Sequence, residues 1–246
     1  MEALFSALPT APILAAVFGI VTAAAVVQAG LGMGFGIMAA PLLALIAPQF
    51  VPVPCIWMGF FTSAWTALSQ REGIVWAEVG MGSLGRIAGV AAGIGLLAAL
   101  SDPASFPLIF GLMVGAAVLI TLLGRPLPFT RLNMMAMAAL SGVMGTITSV
   151  GAPPMALVYQ GRSPRAARPT LSGFFAVGCT ISLAALYLAG FGGWQDLTLA
   201  LVMVPPMLFG LWIAARTQAR FDNRFRPFLL GISGGAAVLL IARGLM

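Results

Sequence analysis

The sequence predicts an all-α polytopic membrane protein of two inverted repeats, each a broken, re-entrant helical hairpin plus three transmembrane helices. Three observations carry that prediction: apolar runs of membrane length recur throughout, the chain is written twice at nearly one offset, and the arginines mark one side of a bilayer. Of the 246 residues, 61% are hydrophobic and only 7% charged, with mean hydropathy +1.06. Too few charges remain to solvate a domain of this size, whereas runs of roughly 20 apolar residues suit a bilayer crossing. An outer-membrane barrel would alternate apolar and polar residues with period two, and these runs do not.

The repeat appears first near the ends of the halves. "GLMVGAAVLITLLG" (Gly111 to Gly124) and "GISGGAAVLLIARG" (Gly231 to Gly244) share seven identities in fourteen at an offset of 120. Trp76 and Trp194 are 118 apart, as are Thr62 and Thr180, and the glycine stretch around Gly34 precedes that around Gly151 by 117. One match between Gly- and Ala-rich helices means little; several in order at one offset define halves 1–125 and 126–246. The first half reads as a broken segment over 11–48, then spans near 50–70, 75–100 and 104–123. The second reads as a broken segment over 132–161, then spans near 169–189, 195–215 and 226–243, within one membrane domain overall.

Charge gives the orientation. All twelve basic residues are arginine, since the chain has no Lys and no His. They are spread through short loops, which marks topology and not a nucleic-acid surface. Segment 132–161 has 30 residues, against the roughly 40 that two crossings need. Arg125 and Arg131 precede it, and Arg162, Arg165 and Arg168 follow it. A segment that enters, breaks and returns leaves both clusters in the cytoplasm, and the odd number of crossings in each half inverts the second half. The cytoplasmic side then holds Arg71, Arg125, Arg131, Arg162, Arg165, Arg168, Arg216, Arg220, Arg224 and Arg226. Glu2, Asp102, Asp196 and Arg243 face outward. The expectation is a multi-pass protein of a bacterial cytoplasmic (inner) membrane with both termini outside. No basic n-region precedes the first apolar run, which is therefore read as part of the mature fold.

The breaks carry the functional signal. Glycine occupies every second position from Gly30 to Gly36, and the second half holds Ser149-Val150-Gly151-Ala152-Pro153-Pro154 in register. Irregular backbone at membrane depth survives when buried in protein or lining a wet cavity, and discontinuous helices in repeats form substrate sites there. Glycine permits positive φ and close approach, and proline is tolerated in a first helical turn. Each break thus reads as the start of a returning half-helix whose N–H groups and positive dipole end favour an anion. The candidate binding residues are Gly32, Gly34, Gly36, Gly151, Ala152 and Pro153, with Gln28, Thr146, Thr148 and Ser149 as flanking hydrogen-bond donors. Close helix packing would instead space glycines by four, which fits Gly85, Gly89 and Gly93 but not Gly30 to Gly36. Ser and Thr in membrane helices also commonly bond to their own backbone.

Arg86 is the remaining candidate, about ten residues into its span. Placing it there costs on the order of 2.5–3.5 kcal/mol, so it should face a cavity or a partner. Anion binding and an ion pair with Glu78, eight residues earlier, both stay open, although that spacing turns the two side chains about 80° apart. Pro205-Pro206 marks either a gating element or a shape feature of its span. Cys55 and Cys179 lie within apolar spans and form neither a disulfide framework nor a zinc pattern.

Without His or Lys, Ser–His and Ser–Lys dyads, HExxH and His-ligated metal centres are excluded, so no enzyme, metal or cofactor is expected. A passive anion channel remains an alternative to a carrier, and a purely structural subunit would not need two matched breaks.

"GLGMGFGIMAAPLL" and "SGVMGTITSVGAPPMALVYQG" open the two halves, and on them the chain resembles the sulfite exporter TauE/SafE family, also called the toluene sulfonate uptake permease family. "GAPPMALVYQ" is similar to that family's glycine-proline-proline signature, while Phe35 interrupts its usual run of consecutive glycines. The resemblance implies a secondary transporter of small anions, often sulfur-containing (sulfite, sulfonates, sulfoacetate), working as exporter or uptake system. A non-sulfur carboxylate is the alternative cargo. The partners it implies are the anion, a coupling proton or ion, and the bilayer, with no nucleic acid.

Overall fold

The computed structural model describes residues 9–31, 34–99, 106–217 and 225–245. Among these residues the chain forms ten α-helices, two short 3-10 turns and no strand. In order they are α1 (Ala11–Leu31), α2 (Phe35–Ile46), α3 (Val53–Ser69), α4 (Trp76–Ala99) and α5 (Phe106–Leu123), then α6 (Arg131–Thr148), α7 (Ala152–Tyr159), α8 (Pro164–Leu188), α9 (Trp194–Thr217) and α10 (Phe225–Leu245). Gly32 and Met33 lie outside the described residues, as do Glu2, Asp102, Arg220 and Arg224.

The helices are apolar outside and carry polar groups inside. Leu68, Leu123, Leu132 and Leu188 are exposed, whereas Gln28, Ser63, Arg86, Ser141, Thr146 and Ser182 are buried. That inversion of the soluble pattern is what lipid demands: the outer face needs no charge, and interior polar groups find partners across helices. Five helical stretches are long and apolar enough to cross a bilayer: Ala11–Ala29, Trp76–Ala99, Phe106–Leu123, Ala166–Leu188 and Trp194–Arg216.

Both broken segments have arms of unequal length. In each, a long arm is followed by a short one: 21 then 12 residues for α1 and α2, and 18 then 8 for α6 and α7. At 1.5 Å per residue α1 spans about 31 Å and α7 only about 12 Å. Conversely α3 has 17 residues, shorter than the predicted span, because Pro48, Pro52 and Pro54 hold the chain before it in a 3-10 turn and a helix N-terminus. Pro205 and Pro206 do not end α9, and Thr22 Oγ1 donates to the Pro206 carbonyl at 3.1 Å.

Glycine sets the tightest packing. A Cβ at Gly85 would overlap the Met135 carbonyl, and one at Gly89 the Ala139 carbonyl, so α4 and α6 touch backbone to backbone. Gly82 faces Met134 and Gly93 faces Val143, so the two helices run parallel. Here the spacing of four does the packing that it predicts. Other packed helix pairs include α9 with α1, α4 with α8, α9 with α3, α10 with α2, α5 with α7, α3 with α8 and α5 with α10.

Segment 131–162 doubles back. Leu127 N–H, before α6, donates to Leu157 O near the end of α7 at 3.0 Å. Tyr159 Oη donates to Glu78 Oε2 at 2.8 Å, and Glu78 lies in the first turn of α4, parallel to α6. The start of α6 and the end of α7 therefore lie at one end of the molecule.

Candidate functional site

Arg86 lies ten residues past Trp76, in the middle of α4, and is 2% exposed. Three glycines make room for it. A Cβ at Gly178 would stand 2.7 Å from Nε, at Gly145 2.9 Å from Nη2, and at Gly151 3.0 Å from Nη1. Helices α6 and α8 and the second break thus press on the guanidinium from three sides. Nη1 donates to Ser141 Oγ at 2.8 Å, and Ser141 Oγ donates onward to the Gly151 carbonyl at 2.6 Å. Nη2 makes a longer approach of 3.5 Å to Ser182 Oγ, which is itself 3.0 Å from Thr146 Oγ1. The Phe174 ring lies 5.6 Å from Cζ. Among the described residues no carboxylate pairs with Arg86, and Nε has no acceptor.

The ion pair with Glu78 is overturned. Glu78 is bidentate with Arg162, at 2.9 Å to Nη1 and 2.8 Å to Nη2, and also accepts from Tyr159. Arg162 lies 4.2 Å over the Phe129 ring. Eight residues of α-helix separate Glu78 from Arg86, and the returning arm brings a nearer cation to Glu78. Donating to the Glu78 carboxylate raises the Arg162 guanidinium above its usual value.

A cavity of about 50 Å³ opens beside Arg86, enough for a few waters or one small oxyanion. Its wall includes Gln28, Gly34, Gly36, Arg86, Ser149, Gly151 and Ala152 of the predicted residues. Phe35, Cys55, Ile56, Gly59, Ser63, Gly145, Phe175 and Cys179 complete it. The two breaks meet here: a Cβ at Gly36 would overlap the Ser149 carbonyl, so only glycine lets the tips touch. Gly34 has φ 124°, a conformation that favours glycine.

Other predicted residues hold different roles. Gln28 Oε1 accepts from Phe35 N–H at 3.0 Å, capping α2. Thr148 Oγ1 donates to Met144 O at 2.7 Å and accepts from Val150 N–H at 3.2 Å, so it shapes the turn and does not line the cavity. Pro153 is buried in the first turn of α7, outside the cavity wall, and Gly32 lies outside the described residues. The left-handed residue of the second break is Ser149, at φ 63°, whereas Gly151 has φ −95°. Close approach, not positive φ, is therefore what position 151 requires. Ser149 Oγ donates to Pro52 O at 2.9 Å, tying the break to the start of α3. Pro153 and Pro154 also strip two N–H groups from the first turn of α7, so its N-terminus offers an anion fewer donors than expected.

Ser141, Ser182 and Gly178 were not legible as site residues. Each is a small residue in an apolar helix, 55, 96 and 92 positions from Arg86, and only the packing of α4 against α6 and α8 joins them. Ser63 on α3 is buried in the cavity wall as well.

A family model for sulfite exporter TauE/SafE matches residues 17–240, nearly the whole chain and both breaks. The chain belongs to the TauE/SafE family. Membership makes this TauE/SafE protein a membrane transporter by family, which agrees with its apolar exterior and its buried cation. No curated protein and no solved structure matches it.

Proposed function

We propose that this protein is a secondary transporter that moves a small anion, a sulfur oxyanion or an organosulfonate, by alternating access at the junction of the two breaks. One observation carries the reading: among the described residues Arg86 is buried without a carboxylate, its guanidinium fixed by Ser141 beside a cavity of oxyanion size. A buried cation lacking a counter-ion is costly, and an anionic substrate supplies the missing charge.

The proposed inverted repeat draws support from the packing. Exchanging α1–α5 with α6–α10 turns α4 on α6 into α9 on α1, α4 on α8 into α9 on α3, and α10 on α2 into α5 on α7. The α3–α8 and α5–α10 contacts map onto themselves. Such symmetry offers two alternative packings of similar energy, as alternating access requires. The small cavity favours a carrier over a channel. With the arginine-rich loops in the cytoplasm, the termini face outward in a bacterial inner membrane.

Reconstitution into liposomes with a panel of sulfur oxyanions, sulfonates and carboxylates, with and without a pH gradient, tests the reading. Saturable uptake that Arg86→Gln abolishes is expected. Absence of uptake for every anion, or currents too large for a carrier, refutes it. For topology, a Cys at Asp196 should react with an impermeant thiol reagent from outside and one at Ser163 should not. The opposite pattern inverts the assignment.

A further inference from the structure

We infer that the site accepts singly charged anions and rejects dianions, so that a diprotic oxyanion is carried with its proton still attached. The inference rests on the proposed transport at Arg86 and adds the charge state of the cargo.

Arg86 is the single cation in the cavity wall among the described residues. Arg162 is neutralised by Glu78 at the end of α4, and Arg168 is directed to Ala29 O at 2.6 Å, so neither shares the load. At the 118-residue offset, the second half places Val204 where the first has Arg86, and the repeat supplies no second charge. The hydroxyls that accept from Arg86, those of Ser141 and Ser182, are neutral, and the two prolines of α7 thin out its N–H groups. A monoanion therefore leaves the cavity neutral. A dianion leaves one uncompensated charge between Phe35, Ile56 and Phe175, where desolvation is not repaid.

The same inventory places the proton. The titratable groups facing the cavity are Arg86 from α4, Cys55 from α3 and Cys179 from α8. Helices α1, α2, α6 and α7 contribute none to the wall, and no carboxylate or imidazole is present there to hold a proton beside the substrate. Ionising either thiol would add negative charge and repel the anion further. For a diprotic acid the proton is then held by the substrate itself.

The test uses the full chain in liposomes with equal pH on both faces. Labelled methanesulfonate carries one fixed charge, sulfite loses its second proton near neutrality, and sulfate is a dianion throughout. KM for methanesulfonate should stay flat with pH, while KM on total sulfite should rise about tenfold per pH unit above the second ionisation. Excess sulfate should leave methanesulfonate uptake unchanged. Sulfate competing as well as unlabelled methanesulfonate, or a sulfite KM independent of pH, overturns the inference while leaving anion transport standing. A parallel rise for sulfite and methanesulfonate places the titrating group on the protein and overturns it too. If sulfite is not carried, sulfate competition decides alone. If no anion moves, the transport reading fails, and the charge preference with it.

Discussion

Arg86 and Arg162 are both arginines against aromatic rings, yet among the described residues only Arg162 has a carboxylate partner. Arg162 is a third exposed, bidentate to Glu78, and stacked over Phe129. Arg86 is nearly fully buried, donates to Ser141 and has no carboxylate among the described residues. Burial should make a counter-ion more necessary at Arg86, so its absence among the described residues, where the breaks open a cavity, is what supports the proposed anion site there. The Arg162 pair is complete and fastens the returning arm to α4.

The largest test of that contrast is Arg86→Gln. Transport should fall on the order of 100-fold, and Arg86→Lys should retain a part of it through the remaining point charge. Because Glu78 belongs to Arg162, the double variant Arg86→Gln/Glu78→Gln should transport no better than Arg86→Gln in the same liposome assay. Recovery in the double variant would make Arg86 and Glu78 functional partners and collapse the contrast.

Gly151→Val should come next, abolishing uptake in a protein that still inserts and folds, as size-exclusion profiles would show. Even its Cβ would stand 3.0 Å from Arg86 Nη1 and 2.9 Å from Ser141 O, in the space that the anion needs. Normal uptake by this variant would move the site away from the second break.

Arg162→Gln should act on stability in place of binding. Losing this partly exposed bidentate pair should cost on the order of 1–2 kcal/mol in thermal unfolding, discounted for solvent. KM should stay near that of the unmodified protein. A large rise in KM with unchanged stability would turn Arg162 into a binding residue.

Ser141→Ala should give the smallest effect. It removes the acceptor that fixes Arg86 Nη1 and the donor to Gly151 O. A KM increase of about three- to tenfold is expected with little change in maximal rate, since the charge itself remains. Ser141→Thr, which keeps the hydroxyl, should recover most of it, and failure to do so would point to packing against α4 instead.

The sequence alone determined the all-helical membrane character, because too few charges force an apolar exterior, and it located both breaks, because glycine runs and prolines punctuate helices locally. Gly34, Gly36, Arg86, Ser149, Gly151 and Ala152 of the cavity wall were legible for that reason: Arg86 is a charge in an apolar helix, and the others belong to the breaks. Local composition could not say what a side chain meets across helices. Only the tertiary structure gave Glu78 to Arg162, made Gln28 a cap for Phe35 N–H, and turned Thr148 back on its own helix. Ser141, Ser182 and Gly178 came to Arg86 in the same way. A small residue in a membrane helix looks the same whether it faces lipid, another helix or a guanidinium, and the difference arises only when glycine faces let α4 close on α6 and α8.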